Sequence, residues 1–436
     1  MVVNPIINEV DRQIEQAITA LLTAGREQGF FSHTFSFCEH WRRDKPTYSL
    51  TACYFASNIN QSVELHFCVA LASDIEACLS SLDSFQDLEC FCERMGLPLF
   101  SDKKPIPLVP ISIKKPWGQE IWFTGIEERG VAQAGFDGKL SLLPWVLAAA
   151  PSRLVGLDYQ SLILLKILDP LPEAVKGDLY FELHERKREI YVVTAIDEKA
   201  WPDGVGGIRF GFDPAVVAQY YDEAEFKNNY LQAVKSYEAV RRKIDRLSEC
   251  EINDVPADLR ERESKLRLGI ESYSYLKPLV VGDVVQVPCF TPHSLLHGVR
   301  TIEFQTPVYE RLILSFAQKV LTQAYWDTEQ AVSKMSVAQP PSPAFDIIYQ
   351  SEGTLVERIV DFEDFEVRRI KLEAGAVFKL ELESQYGLLM MVSGHVTLSG
   401  VTIKPEQAVI LASSWVGCLV SNLCDDEMCF LLAYPK

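Results

Sequence analysis

At 436 residues, 48% of them apolar, the chain is too long for a single hydrophobic core and calls for two to four domains. A net charge of −18 excludes recognition of nucleic acid or an anionic membrane by bulk electrostatics. No apolar run reaches the ~20 residues that span a bilayer, and Met1 to Ile14 lacks a basic segment leading into a hydrophobic one; the expectation is a soluble, cytoplasmic protein.

The chain opens with apolar residues at helical spacing over 5–28 (Ile6, Val10, Ile14, Ile18, Leu21, Leu22), stopping near Gly25 and Gly29. Three strands are expected near 31–38, 47–56 and 62–71, then helical patterns at 75–82 and 85–95. Together they make an N-terminal α+β domain over 1–104. Its histidines, His33, His40 and His66, have no motif spacing and read as structural or surface residues. The cysteines fall singly in apolar segments such as Leu65 to Val69, as small hydrophobes do in a reducing compartment. The pairs Cys90/Cys92 and Cys424/Cys429 lack zinc-finger spacing.

The proline-punctuated segment from Pro98 to Pro110 reads as a linker. Past Ile113-Lys114-Lys115-Pro116-Trp117-Gly118-Gln119-Glu120-Ile121-Trp122 and a strand at Leu164-Leu165-Lys166-Ile167-Leu168-Asp169 comes Gly177 to Val193. There, apolar alternation on either side of a charged cluster reads as a β-hairpin. Glu182 and His184 share one strand face, and in a hairpin closed by four residues Glu189 stands opposite His184. A fourth donor, His293, ends the alternating strand and Pro-bounded loop that begin at Gly282. Two carboxylates and two imidazoles suit one divalent transition metal. Any one of them alone would pass as structural, but carboxylates turned inward without a cation would cost several kcal/mol each.

Between these segments lies a charged stretch with helical periodicity, 214–275, read as a helical insertion with a solvated face; its Arg241, Arg242 and Lys243 are within conceivable reach of a substrate. Residues 276–331 return to strand patterns, Ala338 to Pro343 reads as a linker, and 344–436 form another alternating β domain.

The two ligand segments resemble the paired motifs of the cupin superfamily. Gly177, Glu182, His184 and Glu189 follow the first, with a glutamate at its first histidine and Ile196 at its closing glycine. Gly282, Pro288 and His293 follow the second, with Phe290 at its inner glycine and His297 at its asparagine. Within that superfamily, the Lys115 to Trp122 segment, the Leu164 to Asp169 strand and Gly298 to Arg311 are similar, in order and wording, to type I mannose-6-phosphate isomerases. Gly375, Glu381, Glu383, Gly387 and Gly394 fall in the register of the first motif without its histidines, and Gly417 stands near the second motif's ligand.

The resemblance implies a mainly β fold with α insertions. It comprises a metal-binding cupin (jelly-roll) barrel over 105–213 and 276–331, the helical insertion, and a C-terminal metal-free cupin barrel over 344–436, with the N-terminal domain outside it. It implies a metal-dependent aldose-ketose isomerase acting on a sugar phosphate through an enediol. The metal ligands would be Glu182, His184, Glu189 and His293. Zinc is the expected metal, and iron, manganese or nickel suit the same donors. Arg311 matches the family's catalytic arginine, Lys187 a lysine expected to hold the phosphate, and Glu303 a proton carrier. This sequence departs from the family in Glu182, where the family has glutamine, in Tyr180, where it has a serine near the substrate phosphate, and in a missing serine-aspartate pair. Those departures keep two alternatives open: a non-catalytic metal-containing sugar-binding or regulatory protein, and another cupin metalloenzyme such as an oxygenase.

Overall fold

The computed structural model describes residues 5–59, 62–76, 79, 82–156, 162–249, 255–342, 344–383 and 385–436. The fold is mainly β, with helices confined to the N-terminal region, short connections and one insertion. The chain forms two compact units, one of residues 1–111, 122–165 and 345–436, the other of 112–121 and 166–344. Among the described residues no helix is long and apolar enough to cross a membrane.

The first unit begins with the helix Pro5–Thr23, whose Val10, Ile14 and Ile18 are buried because i, i+4 spacing stacks them on one face. Strands Gln28–Cys38, Thr47–Ile59 and Ser62–Leu71 form an antiparallel sheet completed by Phe100–Ser101. The helix Phe85–Met95 starts on a Ser84/Asp87 capping box and stops at Gly96, φ 66°, as its sequence dictates. The helix expected at 75–82 is shorter and earlier, Ala72–Ile75, and 77, 78, 80 and 81 lie outside the described residues.

The linker expected at 98–110 is a correction: Ile106–Val109 is an inner strand of a nine-stranded sheet, between Ala408–Leu411 and Gln133–Phe136. Ile106 and Leu108 are buried, and their apolar burial outweighs the proline signal of Pro105, Pro107 and Pro110. Residues 122–165 likewise fall in the unit of the C-terminal strands, whereas the sequence reading put 105–213 in one domain.

The second unit carries two sheets. One runs Val284–Val287, Glu189–Ile196, Val299–Gln305, Leu164–Pro170, Gly118–Trp122 and Ile111–Lys115; the other runs Ser274–Leu279, Gly206–Phe212, His293–Leu295, Phe181–Leu183 and Leu312–Ser315. Both contribute to one apolar core with the long insertion helix Glu223–Glu249, through Phe226, Tyr230, Val234 and Tyr237. The insertion also holds the helix Ala257–Glu271.

The hairpin expected at 177–193 does not form. Phe181–Leu183 pairs with 293–295 and 312–315, while Glu189–Ile196 pairs with 284–287 and 299–305 in the other sheet. Alternation identifies which residues share a face, not which strand is the partner. The crossing at 185–187 is fixed by Glu310, whose Oε1 accepts the backbone N–H groups of Glu185, Arg186 and Lys187 at 2.5, 2.6 and 3.2 Å. Gly177 is required for packing, since a Cβ there would lie 1.9 Å from the Leu171 carbonyl oxygen.

Candidate metal centre

Glu182 stands directly opposite His293 across paired strands, so their side chains point to the same interior face. In the facing sheet, Glu189 pairs with Gln305 and Tyr191 with Glu303, which puts two more carboxylates on the face that looks back. His184, Glu189, His293 and Glu303 are all buried. Donor atoms of Glu182, His184 and His293 lie within 4.8 Å of one another. With metal-donor bonds of ~2.0–2.2 Å, a small side-chain adjustment brings all three onto one ion.

The donors fit a cation better than they fit each other. Glu182 Oε2 and both ring nitrogens of His184 are buried without hydrogen-bond partners; His184 Nε2 is 3.4 Å from Glu189 Oε1. His293 Nδ1 meets the Thr291 carbonyl at 2.9 Å and must donate to it, because a carbonyl only accepts. Neutral His293 then turns a bare Nε2 toward the Glu189 carboxylate, 3.1 Å away. Two acceptors at that distance need a shared proton or a metal ion between them.

Glu189 is also the hub of the surrounding charges. Lys187 Nζ lies 2.7 Å from its Oε1, and the Tyr191 hydroxyl donates to its Oε2 at 2.5 Å. Burial works against its ionisation, but Lys187 and His184 hold its carboxyl well below the usual range. For His184, burial and then Lys187 push the imidazole down toward the neutral form that a metal requires.

Glu303 differs. Burial raises its carboxyl well above the ordinary range against the pull of Lys166, and Glu189 adds to the rise. Lys166 Nζ lies 3.3 Å from it. Burial alone would lower that ammonium, but Glu120, Glu303 and Glu189 hold it above its usual value. Of the buried carboxylates at this spot, Glu303 is the one that burial pushes upward, while Glu189 is held down by its cations.

Arg311 flanks the centre. Its guanidinium is 4.0 Å from Glu182 Oε2, stacks 4.3 Å over the Tyr180 ring and donates to the Thr322 hydroxyl at 2.5 Å. Tyr180 in turn packs on Phe316, centroids 4.1 Å apart. The structure thus brings together all seven sequence-derived site residues. Lys166, Glu120, Tyr191 and Glu310 were not among them. Lys166 was detectable as the lone cation inside an apolar strand, whereas Glu310 and Tyr191 gave no spacing signal.

Phe290, which replaces the second motif's inner glycine, keeps a left-handed backbone, φ 64°, a region costly for a side chain with a Cβ. Its N–H donates to the His184 carbonyl at 2.7 Å and its carbonyl accepts from Ser336 at 2.8 Å. The first of those bonds ties the His293 loop to the other ligand segment.

No protein-family model matches this sequence, and no curated protein does. Solved structures do match in fold. The mannose 6-phosphate isomerase of Bacillus subtilis superposes with a TM-score of 0.53 at 14% identity, covering 76% of this chain and 99% of that one. A variant of phosphomannose isomerase from Salmonella typhimurium gives 0.55 at 13%, covering 76% and 100%. A mannose 6-phosphate isomerase bound with zinc and yttrium gives 0.54 at 12%, with the same coverage. The chain therefore has a distant mannose-6-phosphate-isomerase-like fold, and that is as far as similarity of fold extends.

Proposed function

We propose that the protein is a metal-dependent aldose-ketose isomerase acting on a sugar phosphate. In this reading one divalent ion, zinc before iron, manganese or nickel, is held in the first of two cupin barrels by Glu182, His184, Glu189 and His293; the barrel over 344–436 carries none, and the protein works in a reducing cytoplasm. The observation that carries the reading is the donor set itself: an orphaned buried carboxylate oxygen, an orphaned imidazole and a second imidazole nitrogen facing a carboxylate.

A metal bound there would supply Lewis acidity, drawing electron density from the sugar's carbonyl and hydroxyl oxygens and acidifying the intervening C–H. Glu303, raised by burial, exchanges a proton at a pH where an ordinary glutamate is fully ionised. It takes the proton from C2 of the aldose and returns it to C1, while the C2 hydroxyl proton passes to the C1 oxygen. Lys166 holds Glu303 in position and balances its charge. Arg311 faces the negative charge that develops in the enediol, and Lys187 orients Glu189.

The test is a screen of aldose and ketose phosphates in deuterated water, with metal content measured in parallel. Stoichiometric metal and deuterium incorporated at C1 or C2 of one of them is the expected result. Full metal loading with saturable binding and no exchange for any sugar phosphate would make the protein a binding module instead.

A further inference from the structure

The cations at the metal centre are already committed. Lys187 lies against Glu189 at 2.7 Å, Lys166 against Glu303 at 3.3 Å, and Arg311 is held between Tyr180 and Thr322. Tyr180, only 5% exposed, fills the space beside Arg311. A phosphate dianion placed in this chamber would have to break one of these pairs, in a region already rich in carboxylates.

A second location is better built. On the far side of Arg311, an open recess of ≈ 480 Å³ is lined by Arg242, Arg246 and Lys319, with Asp245 as its single carboxylate and Thr322 at its edge. Asp245 is engaged by Arg241 at 3.0 Å, and Arg242 is anchored by Glu238 at 2.8 Å and by the Trp326 ring, 5.6 Å away. Arg241, Arg242, Arg246 and Lys319 against Asp245 and Glu238 leave a positive spot in a chain of net charge −18, where the surrounding field would otherwise repel anions. The link to the metal centre is short. Thr322 lines the recess and accepts from Arg311 Nη2, while Arg311 Nη1 reaches toward Glu182; one guanidinium separates the two.

We propose that this recess, formed by the insertion helix Glu223–Glu249 and the 319–324 loop, is the anion subsite that takes the phosphate of the substrate, while the metal chamber takes only the neutral polyhydroxy-carbonyl end. The proposal rests on the isomerase reading for its substrate and on the recess geometry for its location. Arg246 and Lys319 provide charge, and Thr322 provides a hydroxyl that registers phosphate occupancy at Arg311.

Inorganic phosphate is the first probe, titrated calorimetrically into the full-length metal-loaded protein. Wild type should bind it, Arg246→Gln/Lys319→Gln should bind at least tenfold more weakly with unchanged metal content and thermal midpoint, and Lys319→Arg should retain binding. For a turned-over sugar phosphate, the double variant should raise KM at least tenfold and leave kcat within about twofold. Undiminished phosphate affinity in the double variant, with loss in Arg311→Ala, would put the anion in the metal chamber and overturn the proposal, as would a wild type that binds no phosphate. If no sugar phosphate is isomerised yet phosphate binding still depends on Arg246 and Lys319, the anion subsite stands and the isomerase reading falls.

Discussion

The candidate metal chamber and the C-terminal domain solve the same problem, carboxylates in a β fold, in opposite ways. In the chamber, Glu182, His184 and His293 converge with unmatched polar atoms. In the C-terminal domain, the interior is apolar (Leu389, Met391, Leu411, Phe430, Leu432), and the glutamates at the matching motif positions sit at the surface on basic partners: Glu383 bridged by Arg368 at 2.6 and 2.8 Å, Glu381 by Lys379 at 2.6 Å. A β interior left to itself fills with hydrocarbon, because an unpaired buried carboxylate costs several kcal/mol. A polar interior persists where something cationic completes it.

The most severe way to break that contrast is to remove both imidazoles. His184→Ala/His293→Ala should abolish stoichiometric metal retention, since two carboxylates leave an ion loosely held and largely hydrated. Glu381→Gln/Glu383→Gln should leave metal content unchanged. Elemental analysis after gel filtration reads both; metal retained at full stoichiometry by the imidazole-free variant would remove the chamber from consideration.

Much of this contrast was legible from residue types alone. Four side chains of types that can ligate a metal, at motif spacing, and the missing histidines near Glu381 and Glu383, are one-dimensional facts. What failed were the statements that depend on partners. Alternation put Glu182 and His184 on one face but could not reveal that the chain crosses to another sheet before Glu189, because the carboxylate fixing that crossing, Glu310, is more than a hundred residues away. Pro105, Pro107 and Pro110 looked like a linker because proline reports local dihedral preference, whereas Ile106 and Leu108 are placed by burial against strands from the other end of the chain. Phe290 looked like the loss of a required glycine, yet the backbone there keeps the glycine's conformation. Lys166 could have been flagged, since a cation inside an apolar strand calls for an acidic partner; that partner, Glu303, comes from another strand.

A smaller effect sharpens the role of Arg311. If its guanidinium faces charge that exists only in the transition state, Arg311→Ala should lower kcat by ~10²–10³-fold and change KM little, the size of effect seen when one preorganised donor is removed. The corresponding change in the C-terminal domain, Arg368→Ala, should leave kcat and KM within about twofold, because Arg368 serves Glu366 and Glu383. Steady-state kinetics on whichever sugar phosphate is turned over decides it, and equal losses in the two variants would mean that both act only through stability.

The smallest expected effect concerns Glu383. Its bond to Arg368 outweighs its burial and holds its carboxyl below the ordinary range. A group whose folded-state pKa is depressed binds fewer protons folded than unfolded, so its contribution to stability is complete above the unfolded pKa of about 4.3 and disappears as pH falls through the lower folded value. Because the Glu383 side chain is 62% exposed, water screens the pair, and its worth is that of a surface ion pair, roughly 0.2–1 kcal/mol. Glu383→Gln should therefore unfold at slightly lower urea than wild type at pH 7, with the gap closing below about pH 4 and shrinking with added salt. The chamber carboxylates should behave differently, with stability that falls when a chelator removes the metal and depends little on salt, because those charges are enclosed. A chelator that left the urea midpoint unchanged at every pH would mean that the chamber, like the C-terminal surface, balances its carboxylates without an ion.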